Sequence, residues 1–304
     1  MPDVFIAVDW GSTNFRARLV EGNRVLDSVE SPDGIRNRDG RDYESILESH
    51  CAPWRERHPN APVLMSGMIG SREGWREAPY VSTPAAISDL AANVITVPSR
   101  NFGEIGIVPG VRHDIETSGV TDVMRGEETQ VAGLLASLPA EGATVCLPGT
   151  HSKWIHCREG RIEAFRTWLT GEAFELLTKG SLIAGTGGAP DPKNPAFARG
   201  LELSGGDGGL LHHLFLGRTE MLTGRVAAED LRSLVSGLLI GQEIRSAAEF
   251  SPSRPVHLIG TSPASAATAR ALEWFGIPAE TVTEDIHLRG LIAIQQGWIG
   301  EQTG

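Results

Sequence analysis

The sequence predicts an α/β protein built from two similar halves, with a cleft between them. Apolar stripes with helical spacing alternate along the chain with short apolar runs that are typical of buried strands. A strand–turn–strand–turn–strand pattern occurs twice, over residues 4–31 and again from residue 143. The length of 304 residues is enough for about two domains with cores of their own.

The first half opens with the three strands of residues 4–31, which are separated by a small-residue turn and a Gly-Asn turn. "RDYESILESHCAPWRERH" predicts a helix, because an apolar stripe runs through Tyr43, Ile46, Leu47 and Trp54. "APVLMSGMIGS" then predicts a buried strand that enters a glycine turn. "TDVMRGEETQVAGLLASL" predicts a helix over residues 121–138 with Thr121 or Asp122 as its cap.

The second half repeats the pattern with little identity of sequence. Helices are expected near residues 172–182, 208–217 and 228–249, and "PVHLIGTS" and "ASAATARALEWFG" predict a strand followed by a helix. Residues 185–200 are expected to form a long loop. A last helix over residues 285–300 is expected to pack back on the first half. The predicted domains are therefore 1–120 together with 285–304, and 121–284.

Composition excludes several classes of protein. The net charge of −11 and the isoelectric point near 5.3 argue against general binding of nucleic acid. No apolar run predicts a transmembrane helix, and the N-terminus does not resemble a signal peptide. Cys51, Cys146 and Cys157 form no metal-binding or disulfide pattern. We therefore expect a cytoplasmic protein with reduced cysteines, of which Cys146 is a small buried hydrophobe.

Two small-residue turns are the candidate phosphate sites. Such a turn aims backbone N–H groups at one point and allows a ligand to approach closely. Asp9 stands at the rim of the first turn, where it could hold a Mg²⁺ ion that bridges phosphates. The phosphate-binding candidates are Gly11, Ser12, Thr13 and Asn14 in "DWGSTN", and Gly149, Thr150, His151, Ser152 and Lys153 in "LPGTHSK".

Each of these turns also has an ordinary structural interpretation. An Asp-x-Gly-Ser-Thr hairpin is often only a turn, and His151 could equally make a structural hydrogen bond. One such turn in each half is less easily explained by chance. The chain contains neither G-x-x-x-x-G-K-[ST] nor G-x-G-x-x-G, so the P-loop and dinucleotide folds have no support.

Six segments spread over most of the chain resemble one family of sugar-acid kinases: "AVDWGSTNFRARL", "SGMIGSREGWREAPY", "VMRGEETQVAGLL", "LPGTHSKWI", "FRTWLTGE" and "LVSGLLIGQE". They resemble 2-dehydro-3-deoxygalactonokinases, within the superfamily of sugar kinases, Hsp70 and actin. The resemblance implies two RNase H-like (actin-like ATPase) domains. It also implies that ATP with Mg²⁺ phosphorylates the terminal hydroxyl (the 6-position) of 2-dehydro-3-deoxy-D-galactonate in sugar-acid catabolism.

A kinase of this kind needs an acceptor for the hydroxyl proton. Superfamily kinases use a carboxylate at the start of the helix that closes the first half, and this segment offers Asp122, Glu127 and Glu128. Glu127 is the preferred base and Asp122 is the next candidate. Asp122 could instead be only a helix cap, and the glutamates only a solvated face.

The carboxylate of a 2-oxo acid needs arginine or clustered N–H donors. The candidates are Arg16, Arg72 and Arg125, although each alone could be a surface residue. In "GMIGSREGW", Gly67 and Gly70 would allow close backbone approach, Ser71 could bind hydroxyls, and Trp75 could pack on the sugar chain or simply in the core. Gly260 and Thr261 are expected to border the adenosine, unless they form only a strand-to-helix turn.

Two alternatives stay open at this stage. One is another sugar or sugar-acid kinase of the same superfamily, and the other is a non-catalytic, actin-like or sugar-sensing ATP-binding protein. The expected partners are ATP and a small sugar acid, with no nucleic acid and no membrane. A homodimer is an option that the sequence leaves open, as it does the C4 epimer preference.

Overall fold

The computed structural model of the chain describes residues 4–251, 254–283 and 285–302. The strands are β1 (Val4–Trp10), β2 (Phe15–Glu21), β3 (Arg24–Ser31), β4 (Val63–Ser66), β5 (Tyr80–Ser82), β6 (Ala85–Ala86), β7 (Ile95–Ser99), β8 (Gly103–Ile107), β9 (Gly110–Ile115), β10 (Val120–Met124), β11 (Ala143–Leu147), β12 (Ser152–Arg158), β13 (Arg161–Trp168), β14 (Val256–Ile259) and β15 (Ala279–Val282). The helices are α1 (Tyr43–Arg57), α2 (Ile87–Ala92), α3 (Glu127–Leu135), α4 (Thr170–Gly180), α5 (Pro195–Leu203), α6 (Gly209–Leu222), α7 (Leu231–Phe250), α8 (Pro263–Trp274) and α9 (Ile286–Gln302). A short 3₁₀ helix, Met68–Gly70, follows β4.

The chain divides into two compact units. As far as residues are described, unit 1 takes in 1–138, 159–164 and 284–304, and unit 2 takes in 139–158 and 165–283. Unit 1 extends past the expected boundary at residue 120 because α3 packs closely on α9. The predicted last helix is present as α9, and it lies in unit 1.

The main sheet of unit 1 has the strand order β3-β2-β1-β4-β8-β7. Strand β1 pairs antiparallel with β2 and parallel with β4, which in turn is parallel to β8. Because β1 lies inside the sheet, most of its side chains are buried, whereas those of the edge strand β3 are mostly exposed. A smaller sheet has the order β10-β9-β5.

The sheet of unit 2 repeats this topology. Its strand order is β13-β12-β11-β14-β15, in which β11 is antiparallel to β12 and parallel to β14, and β14 is parallel to β15. The first three strands of each unit thus form a meander, and two parallel strands extend the sheet beyond it. The predicted α/β class and the duplicated pattern are confirmed.

The helix predicted over residues 121–138 begins later than expected. Thr121 and Asp122 lie in β10, opposite Asp114 and His113 of β9, and neither caps a helix. The residue that precedes α3 is Gly126, with a φ of 106°. Val120–Met124 forms a strand because β9 offers it an antiparallel partner, and this pairing between distant segments overrides the local helical signal.

The segment 185–200 is not entirely a loop. Helix α5 begins at Pro195, and the side chain of Asn194 accepts a hydrogen bond from the Ala196 amide at 2.8 Å. Asparagine before a helix and proline at its first position are both typical start signals. Buried Phe197 and Leu201 then hold the helix on the core of unit 2.

Each unit has its own apolar core. The core of unit 1 packs β1, β2, β4 and β8 against α1, with Trp10, Phe15, Ile46 and Leu47 fully buried. Two clusters in unit 2 pack α5 and α7 against their neighbours. Cys51, Cys146 and Cys157 are buried and form no disulfide, and burial was predicted for Cys146. Among the described helices, none combines the length and the apolar character needed to cross a membrane.

Candidate active site

Asp9 stands where two parallel strands of unit 1 end. It lies on β1 opposite Ser66 of β4, and Gly67 follows directly. Ligands of open α/β sheets bind beyond the carboxyl ends of such strands. A Cβ added to Gly67 would meet the Trp10 carbonyl oxygen at 2.9 Å and lie 3.6 Å from Asp9 Oδ1, so glycine is required there.

The two carboxylate oxygens of Asp9 have different neighbours. Oδ2 lies 3.2 Å from Nη1 of Arg16, which is directly opposite on β2, and Arg16 also lies 3.6 Å from Glu30. Oδ1 lies 3.8 Å from Nε2 of His287, on α9. The side chain of Asp9 is 22% exposed, so the carboxylate is held in place and still accessible.

The first small-residue turn is backed by the segment that follows β3. The carbonyl groups of Gly11, Ser12 and Thr13 accept hydrogen bonds from the amides of residues 34–36, at 3.0 to 3.2 Å. Gly34 packs so closely that an added Cβ would lie 2.3 Å from the Thr13 carbonyl carbon. Within the described part of the chain, the amides of Ser12 and Thr13 donate no hydrogen bond. The turn thus has donors available for an anion.

The start of α3 lies against the loop that follows β4. A Cβ added to Gly126 would come within 3.4 Å of the Gly67 Cα atom. Glu127 is half-buried, and its Oε2 accepts a hydrogen bond from the Arg125 amide at 3.1 Å. The predicted base therefore stands beside the glycine that borders Asp9.

Glu128 is buried and points elsewhere. Its Oε2 accepts from the Gly126 amide at 2.6 Å and its Oε1 from the Thr129 hydroxyl at 3.0 Å. Burial, together with the negative charge of Glu127, raises the pKa of Glu128 to about 7. With 1% exposure, this carboxyl stabilises the start of α3 rather than facing solvent.

Asp122 lies on β10, and its Oδ1 accepts a hydrogen bond from the Val123 amide at 2.8 Å. It is partly exposed, four residues before the glycine that starts α3. Asp122 is therefore neither a helix cap nor part of the first turn of the helix.

Arg125, Gly70 and Ser71 come together in unit 1. Nη2 of Arg125 donates to the Ala78 carbonyl at 2.8 Å, and the guanidinium lies 4.4 Å from the ring centre of Tyr80. A Cβ on Gly70 would lie 3.0 Å from Arg125 Nη1. Within the described residues, the buried atoms Nε and Nη1 of Arg125 and Oγ of Ser71 have no hydrogen-bond partner.

The other two substrate candidates lie in different surroundings. The side chain of Arg72 is 88% exposed, with Glu77 at 3.8 Å. Trp75 stacks on Tyr43 with ring centres 6.2 Å apart and packs against the core of unit 1. The contacts of Trp75 agree with its alternative interpretation as a core residue.

The second small-residue turn joins β11 to β12 in unit 2. The Gly149 amide lies 3.5 Å from Ser152 Oγ, and the Thr150 carbonyl accepts from the Glu172 amide at 3.0 Å. His151 Nε2 lies 2.6 Å from Glu172 Oε2. Lys153 is buried at the start of β12. The motif that contains Glu172 therefore supports this turn, although the sequence assigned it no role.

A buried carboxylate lies behind the second turn. Glu243 of α7 accepts hydrogen bonds from Trp154 Nε1 at 2.7 Å and from the hydroxyl of Thr170. Ser152 also donates to it, and burial raises its pKa. Since Ser152 belongs to the turn and Thr170 begins α4, Glu243 connects both segments from inside unit 2.

A cavity of about 250 Å³ in unit 2 opens beside this turn. Its lining is mostly apolar, with a few polar groups at the turn: Pro148, Gly149, Ser152, Thr170, Gly171, Phe174, Pro190, Pro192, Ser236, Leu239, Ile240, Pro263, Ala264, Ala267 and Thr268. Gly260, with a φ of 102°, and exposed Thr261 precede α8 and do not line the cavity. The first turns of α8, rather than the residues before them, form its wall.

Sequence reasoning missed His287, Ser66, Glu172 and Glu243. His287 and Ser66 meet at 2.7 Å although 221 positions separate them, so no local motif could reveal the contact. No group of three or more His, Cys, Asp or Glu side chains among the described residues could by itself enclose a metal ion. Ser66, Glu172 and Glu243 each lie in one of the six family-like segments, which was the available signal, whereas His287 lies in none of them.

Comparison with known proteins finds relatives that match this chain over most of its length. The model of the 2-keto-3-deoxy-galactonokinase family matches residues 9–294. The chain is 36% identical to a 2-dehydro-3-deoxygalactonokinase of Escherichia coli (strain K12), over 92% of this chain and 93% of that protein. It is 34% identical to a probable 2-dehydro-3-deoxygalactonokinase of Rhizobium meliloti (strain 1021), over 94% of each.

Solved structures show the same fold. The crystal structure of a "putative 2-dehydro-3-deoxygalactonokinase protein" from Sinorhizobium meliloti has a TM-score of 0.88 and 33% identity, covering 97% of this chain and 99% of that one. The activator of the 2-hydroxyisocaproyl-CoA dehydratase from Clostridium difficile, 12% identical with a TM-score of 0.50, covers 99% and 98% and shares the fold alone. The predicted RNase H-like, actin-like ATPase fold is confirmed. The chain therefore belongs to the 2-keto-3-deoxy-galactonokinase family.

Proposed function

We propose that this chain transfers the γ-phosphoryl group of ATP to the 6-hydroxyl of 2-dehydro-3-deoxy-D-galactonate. The observation that carries the proposal is the family match over residues 9–294. That range includes every residue to which the sequence assigned a role. Phosphoryl transfer depends mainly on positioning and on stabilisation of negative charge, and these are the tasks that the residues of the site must perform.

Asp9 is the proposed ligand of Mg²⁺. Protein sites for Mg²⁺ commonly supply only one or two carboxylates and leave the remaining positions to water and phosphate oxygens. A single partly accessible carboxylate beside a turn with available amides fits that requirement. When bound there, the ion would neutralise charge on the β- and γ-phosphates.

The two small-residue turns are the proposed phosphate sites. In unit 1, the amides of Ser12 and Thr13 are available as donors. In unit 2, the space beside Gly149 is open, since an added Cβ would meet nothing within 4 Å. Backbone donors of this kind are already oriented before the charge arrives, and this is the basis of their contribution.

The cavity in unit 2 is the proposed site of the nucleoside. It is mostly apolar, as ligand pockets are, and the second turn provides Gly149, Ser152 and Thr170 at its edge. The nucleoside would then contact Pro263, Ala264 and Ala267 at the start of α8. The sequence had instead predicted direct contact with Gly260 and Thr261.

Glu127 remains the preferred base. It is more accessible than Glu128, both of whose oxygens accept hydrogen bonds inside the protein. It also belongs to the segment that touches Gly67 beside Asp9, whereas Asp122 lies on a strand of the smaller sheet. Its role would be to accept the hydroxyl proton as the oxygen attacks phosphorus.

Arg125 is the proposed partner of the substrate carboxylate. Arg16 already faces Asp9 and Glu30, and Arg72 is almost fully exposed. Arg125 forms no ion pair with an acidic side chain in the described part of the chain, and two of its buried nitrogens have no acceptor. An enclosed cation without a counter-charge is costly, and a sugar acid would provide that charge.

The test is ADP release by the purified chain with a panel of acceptors. The panel contains 2-dehydro-3-deoxygalactonate, its gluconate-derived C4 epimer, galactonate, glucose and water alone, and mass spectrometry identifies the product. We expect turnover with the 2-dehydro-3-deoxy acid and a product that carries phosphate on the terminal oxygen.

Other outcomes would overturn the proposal. Faster turnover of a neutral sugar or another acid would make the chain a different sugar kinase. Binding of ATP without phosphorylation of any acceptor would make it a non-catalytic ATP-binding protein.

A further inference from the structure

We propose that His287 is a positioning residue that holds the carboxylate of Asp9 in the orientation needed for phosphoryl transfer. The inference rests on the proposed function of Asp9 and adds a residue from α9 to the site. Nε2 of His287 lies 2.7 Å from Ser66 Oγ and 3.8 Å from Asp9 Oδ1. Asp9 and Ser66 are direct neighbours on the paired strands β1 and β4.

Two glycine contacts fix the position of the first turn of α9. A Cβ on Gly290 would lie 1.8 Å from the Thr129 carbonyl oxygen, and one on Gly133 would lie 2.2 Å from the Ile286 carbonyl oxygen. The backbones of α9 and α3 are therefore in direct contact on either side of His287. This crossing holds the backbone of α9 against α3 on both sides of His287.

A charged contact fixes the same turn from the other side. Asp285 Oδ2 pairs with Arg18 of β2 at 2.6 Å, and Asp285 Oδ1 accepts a hydrogen bond from the Leu288 amide at 3.1 Å. One carboxylate thus caps α9 and attaches its start to the main sheet of unit 1. His287 is held between this anchor and the glycine crossing.

The surroundings of Asp9 are arranged around both of its oxygens. Arg16 faces Oδ2 from β2, and His287 faces Oδ1 from α9. Arg16 at 3.2 Å and His287 at 3.8 Å limit the rotamers of this carboxylate, so less entropy is lost when it binds its ligand. The Ser66–His287 hydrogen bond, inside the protein, keeps the imidazole from turning away, since Ser66 is fully buried.

A purely structural role for His287 makes a different prediction. In that case the Ser66 contact would only attach α9 to β4, and its loss would lower the melting temperature without changing the chemistry of Asp9. Positioning by His287 instead predicts a lower kcat and weaker coupling between Mg²⁺ and nucleotide. Small displacements of reacting groups are enough to cost tenfold or more in rate.

The experiment compares His287→Ala, His287→Gln, Asp9→Asn and the double variant Asp9→Asn/His287→Ala in the full chain. His257→Ala is the matched control, because His257 of β14 has the same 13% exposure and a carboxylate, Glu280, at 3.6 Å. The readouts are kcat, KM for each substrate, melting temperature, and the gain in AMPPNP affinity on adding Mg²⁺, measured by calorimetry.

We expect His287→Ala to lower kcat by about tenfold or more, with a smaller change in KM for the sugar acid. The Mg²⁺-dependent gain in AMPPNP affinity should fall as well. Glutamine places an N–H near the position of imidazole Nε2. His287→Gln should therefore keep most of the wild-type kcat and most of the Mg²⁺-dependent gain in AMPPNP affinity. In the Asp9→Asn background, His287→Ala should lower kcat no further, because His287 affects kcat only through its interaction with Asp9.

Two results would overturn the inference. One is a His287→Ala variant with wild-type kcat and wild-type Mg²⁺ coupling, and the other is full additivity with Asp9→Asn. If the wild-type chain phosphorylates no acceptor, the proposed function fails while the calorimetric comparison still decides the role of His287. A loss of stability alone, equal to that in His257→Ala, would assign His287 a structural role.

Discussion

Gly126, before α3, lies directly against Gly67, which follows β4, so that a Cβ on Gly126 would come within 3.4 Å of the Gly67 Cα atom. Gly67 in turn borders Asp9, which lies near the end of β1 in the main sheet. These two glycines allow a close approach and therefore bring the start of α3, which carries Glu127, towards the Asp9 carboxylate on β1. Larger side chains at either position would separate the two acids.

The first prediction concerns the charge of Asp9. Asp9→Asn keeps the size of the side chain and its contact with Arg16 but removes the charge that would hold Mg²⁺. We expect kcat to fall by roughly a hundredfold or more, since metal-assisted charge stabilisation amounts to several kcal/mol. Steady-state kinetics at several Mg²⁺ concentrations measure the effect. Glu30→Gln is the control, because it removes only the exposed partner of Arg16 at 3.6 Å. Near-wild-type kcat of Asp9→Asn at ordinary Mg²⁺ would contradict the assignment.

The second prediction concerns the base. Glu127→Gln should lower kcat by roughly a hundredfold or more, the usual contribution of a general base, with a smaller change in ATP affinity. Asp122→Asn and Glu128→Gln are the matched variants, each with one carboxylate replaced by its amide. Circular dichroism confirms that the variants are folded. An active Glu127→Gln beside an inactive, folded Asp122→Asn would transfer the role of base to Asp122.

The third prediction concerns pH. The pKa of Glu128 is about 7 in the folded chain, against an ordinary value of 4.5. The folded chain therefore holds this proton more tightly, and its stability should fall as pH rises from 4.5 to about 7, by about 1.4 kcal/mol per pH unit. Glu128→Gln cannot ionise, and its amide can accept from the Gly126 amide while donating to Thr129.

Melting temperatures of both proteins between pH 5 and pH 8 test this. We expect Glu128→Gln to gain stability relative to the wild type as the pH rises. A difference between the two proteins that stays constant over this range would show that Glu128 does not titrate there.

The fourth prediction concerns the cavity of unit 2. Ala264→Phe places an aromatic ring into the lining of the cavity, whereas Ala266→Phe places the same ring on the exposed face of the same helix. We expect the first variant to weaken AMPPNP binding by about tenfold or more, the equivalent of roughly 1.4 kcal/mol. The second should bind like the wild type. Equal affinities of the two variants in calorimetry would exclude the cavity as the nucleoside site.

Several features of the fold followed from local sequence alone. The meander of residues 4–31 was predictable because short apolar runs, which form β1 and β2, are bounded by a small-residue turn and a Gly-Asn turn. Helix α1 was predictable because its apolar stripe and its capping residue agree, Asp42 accepting from the Ser45 amide at 2.7 Å. Asp9 could be singled out for a similar reason, since a carboxylate is uncommon in a buried strand and this one directly precedes a glycine turn.

Other features depended on partners far along the chain. Val120–Met124 has the local pattern of a helix start and becomes a strand only because β9 lies beside it. The helix propensity of a short segment is weak, and pairing with a neighbouring strand easily outweighs it. The same limit applies to Trp75, which lies outside the helices and whose packing against the core involves Tyr43 of α1.

By itself, the sequence determined the fold class, the two small-residue turns and the identity of the acid beside the first turn, because these depend on residue types at short spacing. The tertiary structure decided which groups surround that acid. It placed His287 beside Asp9 through the contact of Gly290 with Thr129, and it buried Glu128 while leaving Glu127 partly accessible. Burial and contact between distant segments arise from the packing of whole helices and sheets, and no short stretch of sequence carries that information.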